Sequence, residues 1–196
     1  MNLGVAGVVL TGGASRRMGA DKALVEVDGT PMARRVAGAL AAGGCAPVWC
    51  QGGDAARLTA AGLTVRPDSH PGDGPLPAIY DALRYHAGAP DASGVVVAAC
   101  DLPDLDGASV GALVAARSAR APVALAVDGH AQLVSWWPAA VAGRLGELID
   151  GGMRAYRDAL AALDADTVPA GRAAVHNINT PQELAERPTE GGPPLR

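Results

Sequence analysis

The chain has no phenylalanine, one lysine, three asparagines and three cysteines in its 196 residues, and only 3% of it is aromatic. Alanine and glycine are abundant and fifteen arginines face the single lysine, Lys22, a composition shaped by nucleotide bias. Cys45, Cys50 and Cys100 form no CxxC pair, and their odd number excludes a disulfide framework and a zinc cluster. They read as small buried hydrophobes. No apolar run approaches the roughly 20 residues of a membrane span, so no transmembrane helix is expected. The opening stretch MNLGVAGVVL lacks a basic region and a cleavage site; it reads as a strand, and a cytoplasmic location is expected. A formal net charge of −4 excludes a general nucleic-acid surface, so an anionic ligand must be held by local positive charge. The four histidines are scattered, with no Ser-His-Asp set or metal cluster among them. His70 and His176, beside the motifs below, read as exposed or supporting groups, and Trp49, Trp136 and Trp137 as core or interface.

What is present is 49% apolar and 18% charged, as in a soluble globular protein. One domain over residues 1–187 is expected, followed by a disordered tail at 188–196. Val5–Leu10 and Gly94–Ala99 are continuous apolar runs, the pattern of strands buried on both faces. Helical spacing covers Pro31–Leu40, Ala55–Ala61, Leu76–His86, Leu105–Arg120, Ala139–Ile149 and Met153–Leu163, with a further helix opening at Pro181. Short strands are expected at Val48–Cys50, Leu63–Val65 and Thr167–Val168, and Val123–Val127 and Gln132–Trp137 flank an Asp128-Gly129 hairpin turn. The fold class is α/β: a three-layer, Rossmann-like, mostly parallel (mixed) sheet with right-handed crossovers and helices on both faces. Ligands in such sheets bind beyond the carboxyl ends of the strands, so the loops after Leu10 and after Ala99 should meet at one site.

The first of those loops, LTGGASRRMGADKAL, is neither a GxGxxG dinucleotide turn nor a P-loop. Its glycines let backbone N–H groups approach a phosphate or a base, and Arg16, Arg17 and Lys22 neutralise an anion. The second, CDLPD, puts the Asp101 carboxylate at a buried strand end, where one carboxylate plus phosphates and water suits Mg²⁺. Together they suggest a magnesium–triphosphate site with Lys22, Arg17 and Asp101 as the catalytic candidates.

LTGGASRRMGADKAL, GDGPLPAI, CDLPD and NINTPQEL follow one another as in the molybdenum cofactor guanylyltransferase family of the nucleotidyltransferase superfamily, which the chain resembles from about Val5 to Leu184. The resemblance implies transfer of GMP from GTP to the phosphate of molybdopterin, with release of pyrophosphate. It implies nucleotide contacts at Leu10, Thr11, Gly12, Gly13, Lys22 and Asp68, magnesium at Asp101, and Asn177 and Asn179 near the reacting centre on the acceptor side. Three departures stand out: Pro77-Ala78 replaces the usual Ala-Gly, HAQLVSWW lacks a proline after its glutamine, and Cys50 replaces a nucleotide-contacting asparagine. Gln51 is the expected substitute for that contact. CTP as donor, another phosphorylated acceptor, or a nucleotide-binding module without turnover are the competing readings, and the oligomeric state is left open.

Overall fold

The two apolar runs singled out above lie side by side at the centre of a seven-stranded sheet. The computed structural model describes residues 4–12 and 21–186. In chain order, β1 (Val5–Leu10) leads to a 3₁₀ turn (Lys22–Leu24), the hairpin β2 (Glu26–Val27) and β3 (Thr30–Pro31), and helix α1 (Met32–Ala42). Next come β4 (Val48–Gln51), α2 (Ala55–Ala60), β5 (Val65–Arg66), α3 (Pro75–His86) and β6 (Gly94–Ala99). The second half holds α4 (Gly107–Ala115), β7 (Val123–Val127), β8 (His130–Pro138) and a 3₁₀ turn (Ala139–Val141). It closes with α5 (Ala142–Asp150), α6 (Tyr156–Ala162), β9 (Asp166–Pro169) and α7 (Pro181–Ala185).

The strand order is β5-β4-β1-β6-β8-β7-β9, and only β8 runs against the rest. Every residue of β1 and β6 is buried. Their alternating side chains feed two cores: Val5, Val9, Val96 and Ala98 pack with α1, α2 and α4, while Ala6, Val8, Val95 and Val97 pack with α3, α5 and α6. Each fully buried valine or leucine in these layers contributes about 1.5–3 kcal/mol. That sandwich gives the expected mixed α/β sheet with helices on both faces.

Chain direction sets the site. From β1 the chain moves one way along the sheet to β4; from β6 it moves the other way, over β8, to β7. Both connecting helices, α1 and α4, pack on the same face. The β6–α4–β7 crossover therefore has the opposite hand to β1–α1–β4, which corrects the expectation of uniformly right-handed connections. The neighbouring ends of β1 and β6 form the switch point of the sheet, where a crevice opens.

Element boundaries differ from the sequence reading where side chains cap the backbone. The helix expected over Leu105–Arg120 is only Gly107–Ala115, because the Asp106 carboxylate accepts the Ser109 N–H at 2.6 Å and starts it late. Its far end gives way to a turn in which Ser118 Oγ accepts the N–H groups of Arg120 and Ala121. Pro77 does not disturb α3: it lies in the first turn, where N–H groups lack helical partners anyway. Trp49, Trp136 and Trp137 are core residues, 3%, 1% and 0% exposed.

Candidate functional site

Strand β1 delivers Leu10 and Thr11 to the crevice, and β6 delivers Cys100 and Asp101 beside them, tied by the Cys100 N–H donating to Leu10 O at 3.3 Å. Lys22 arrives on the 3₁₀ turn, which Asp21 caps by accepting the Ala23 N–H at 3.2 Å. Asn177 and Asn179 arrive from the far end of the chain. Ile178 between them is 0% exposed and packs against Val27 and Met32, so burying the isoleucine turns both asparagines outward. Its N–H donates to Asp101 O at 3.0 Å, docking the segment on the end of β6. Thr180 Oγ1 accepts the Glu183 N–H at 3.1 Å and Glu183 accepts the Asn179 N–H at 2.5 Å, a capping arrangement that locks the segment where α7 begins.

The side chains converge on the Lys22 ammonium. It donates to Asp101 Oδ2 at 2.7 Å and to Asn179 Oδ1 at 2.8 Å, while Asn177 Nδ2 reaches Asp101 Oδ1 at 3.4 Å. Lys22 and Asp101 are 13% and 17% exposed, so the pair is mostly shielded yet open to a ligand. The ammonium acts as a stand-in cation, showing that two oxygens from distant segments already face one point of positive charge. Such an all-oxygen set suits a hard divalent ion. Among the described residues no group of three or more His, Cys, Asp or Glu is gathered to hold a metal. The protein thus offers a divalent ion one carboxylate, and the donor set fits such an ion with water and phosphate completing its shell.

A cavity of about 360 Å³ lies against this cluster, bounded by Leu10, Gly12, Lys22, Asp68, Gly74 and Asp101. Asp68 sits on its far wall, held by accepting the His70 N–H at 2.9 Å. Leu133, at the position after the glutamine where the family carries proline, also reaches this cavity. The N–H groups of Thr11 and Gly12 both donate to Gln51 O, at 3.1 and 3.2 Å, so reading a base with them requires their release. Gln51 does not take over the nucleotide contact expected of it. It is 2% exposed, and its amide is engaged with Trp49 Nε1 at 3.0 Å and Pro67 O at 2.6 Å.

One feature of this wall was absent from the sequence reading: Gly52-Gly53 after β4. Both have φ of +79°, and a Cβ on Gly52 would lie 3.0 Å from Gly12 Cα. The two glycine loops can approach only because neither carries a side chain there. The signal was legible, a second Gly-Gly pair directly after a buried strand. Leu10, Thr11, Gly12, Lys22, Asp68, Asp101, Asn177 and Asn179 all lie around the crevice, and Gly13 and Arg17 lie outside the described residues. His70 and His176 are exposed. Burial pushes the Cys45 and Cys50 thiols up to about 12, and burial together with the Asp101 carboxylate does the same to Cys100.

Residues 7–167 match the family described as MobA-like NTP transferase domain. The chain is 35% identical over 194 residues to the molybdenum cofactor guanylyltransferase of Rhizobium leguminosarum bv. trifolii, covering 93% of this chain and 90% of that one. Among solved structures it is similar to molybdopterin-guanine dinucleotide biosynthesis protein A from Archaeoglobus fulgidus, with a TM-score of 0.73, 23% identity and coverage of 92% of this chain and 95% of that one. It also shares its fold with a Mycobacterium tuberculosis protein solved in complex with manganese, at a TM-score of 0.64, 17% identity and coverage of 85% and 88%.

Proposed function

The chain belongs to the MobA-like NTP transferase domain family, and from that premise we propose that it transfers GMP from GTP to the phosphate of molybdopterin, releasing pyrophosphate. One observation carries the reading: Lys22, Asp101 and Asn179 are joined within 2.8 Å at the switch point of the sheet. We take residues 1–187 as one nucleotidyltransferase domain that works in the cytoplasm. Among the described residues no helix is long and apolar enough to cross a membrane.

The acceptor phosphate is ionised at neutral pH, so no general base is needed. Its oxygen bonds to the α-phosphorus of GTP, and the bond from that phosphorus to the pyrophosphate oxygen breaks. Positioning and charge neutralisation are what the protein must supply. Lys22 holds a point charge at the leaving phosphates, a task an arginine's planar fork does not copy. Arg17 adds charge from the same loop. Leu10, Thr11, Gly12, Gly13 and Asp68 hold the nucleoside, and Asn177 and Asn179 face the acceptor. Asp101 would hold the Mg²⁺, which when bound supplies charge stabilisation between the α-phosphate and the departing pyrophosphate.

The test is pyrophosphate release from each of the four nucleoside triphosphates, with and without molybdopterin and with and without Mg²⁺. The expected result is release from GTP alone, dependent on both molybdopterin and Mg²⁺. Equal release from CTP would change the donor; GTP binding without release under any condition would make the protein a nucleotide-binding module.

A further inference from the structure

We infer that Lys22 and the divalent metal occupy the same place by turns, so that the metal enters only after a triphosphate has drawn the ammonium away. The inference rests on the nucleotidyltransferase reading and adds an order of events to it. Asp101 Oδ2 and Asn179 Oδ1 lie 2.7 and 2.8 Å from the Lys22 nitrogen, so the oxygens a metal would use are already bonded to a cation. The second Asp101 oxygen faces Asn177 Nδ2 at 3.4 Å, which keeps the carboxylate turned toward the lysine. A lysine and a divalent ion crowded together at these two oxygens would set both cations on the one carboxylate that bonds the ammonium, an unfavourable arrangement in a part-buried place. A triphosphate reverses that balance, because its oxygens offer the ammonium better partners.

The backbone is built for such an exchange. Lys22 O accepts the Val25 N–H at 3.2 Å and Asp21 caps the turn, so the turn's backbone bonds do not involve the ammonium. The flexible four-carbon stem is free to carry the charge from carboxylate to phosphate.

Lys22 is the only lysine in the chain, which makes the exchange directly visible. Protein labelled with [¹³Cε]lysine gives one side-chain line for Lys22, and Mn²⁺ binding is counted by electron paramagnetic resonance with and without a non-hydrolysable GTP analogue. The analogue in metal-free buffer should shift the lysine line. Nucleotide-free Lys22→Met should bind Mn²⁺ at least tenfold more tightly than wild type. Arg157→Met, which removes an exposed charge elsewhere, should not. Equal Mn²⁺ affinity in wild type and Lys22→Met, the same gain in Arg157→Met, or an unmoved lysine line with the analogue bound overturns the inference and leaves the nucleotidyltransferase reading intact. Failure of wild type to bind the analogue at all overturns both. If Lys22→Met does not fold, the shift in labelled wild type decides alone.

Discussion

Two cavities line the turn after β6, one along Ala99–Asp101 and one along Pro103–Asp106, and the larger is not the one assigned to the substrate. A cavity of about 880 Å³ lies among Arg35, Asp104, Asp106, Arg172, His176 and Glu186, against about 360 Å³ at the switch point. In the larger one the charges already serve the fold. Arg35 donates to Pro103 O at 2.9 Å and pairs with Asp28 and Asp104, Arg172 pairs with Asp128, and Asp106 caps α4. In the smaller one the key pair is an exchangeable bond between groups from the ends of separate segments. Chemistry at strand ends, and not volume, picks the site.

The hardest blow to that contrast should come from Asp101→Asn. The substitution keeps the shape but removes the carboxylate that holds Lys22 and would hold the metal. We expect kcat for pyrophosphate release to fall by about a hundredfold or more, with GTP affinity changed by roughly tenfold or less. Near-normal kcat with unchanged Mg²⁺ dependence would reduce Asp101 to a structural residue. Lys22→Arg comes next. The ammonium sits between two oxygens at 2.7 and 2.8 Å, and a planar guanidinium cannot place its charge at the same point. A lost charged hydrogen bond is worth about 1.5–3 kcal/mol, so kcat/KM should drop by roughly ten- to a hundredfold. Wild-type kcat/KM in this variant would mean that Lys22 is an ordinary surface cation.

Arg35→Ala probes the other side of the comparison. Its side chain is 22% exposed, and its loss removes the bond to Pro103 O and the pairing with Asp104. The unfolding free energy from urea titration should fall by about 1–2 kcal/mol, while pyrophosphate release stays within about threefold of wild type. A loss of turnover as deep as that of Lys22→Arg would join the larger cavity to the active site.

The same contrast explains what could be read from sequence. β1 and β6 match their expected bounds because a strand buried on both faces writes itself as an unbroken apolar run. The Asp128-Gly129 hairpin was legible from its turn and flanks, and Asp128 and Gly129 both take positive φ. Asp28-Gly29 adopts the same kind of turn, with φ of 51° and 73°, yet went unread. Its two-residue strands are too short to show alternation. At the site, Lys22 and Asp101 were legible as residue types in loops that meet, and the asparagines only through the family resemblance. That Lys22 would bond Asp101 and Asn179 directly was not, because no local pattern links positions so far apart. Gln51 was misread for the same reason: its neighbours Trp49 and Pro67 claim it only in three dimensions.

The smallest effect at neutral pH comes from the buried thiols, one beside the site and two in the core. Cys45 and Cys50 are raised from 9.0 to about 12 chiefly by burial; Cys100 reaches the same value by burial and the Asp101 carboxylate, with Lys22 opposing. A raised thiol favours the protonated form in the folded protein, so its contribution is complete below about pH 9 and is lost as pH rises toward 12. Through that window each buried thiol should add about 1.4 kcal/mol per pH unit to the decline in unfolding free energy. Cys45→Ala removes one such group without touching either cavity. Its urea-unfolding free energy, measured from pH 8 to pH 11, should therefore fall less steeply than that of wild type by about that amount per unit above pH 9. Parallel curves would show that the Cys45 thiol titrates alike in the folded and unfolded chain. The same pair of curves with Cys100→Ala should separate by a similar slope in the empty protein. Adding GTP at the start should leave that onset near pH 9, because the onset is set by the unfolded thiol and not by the charges around Cys100 in the fold.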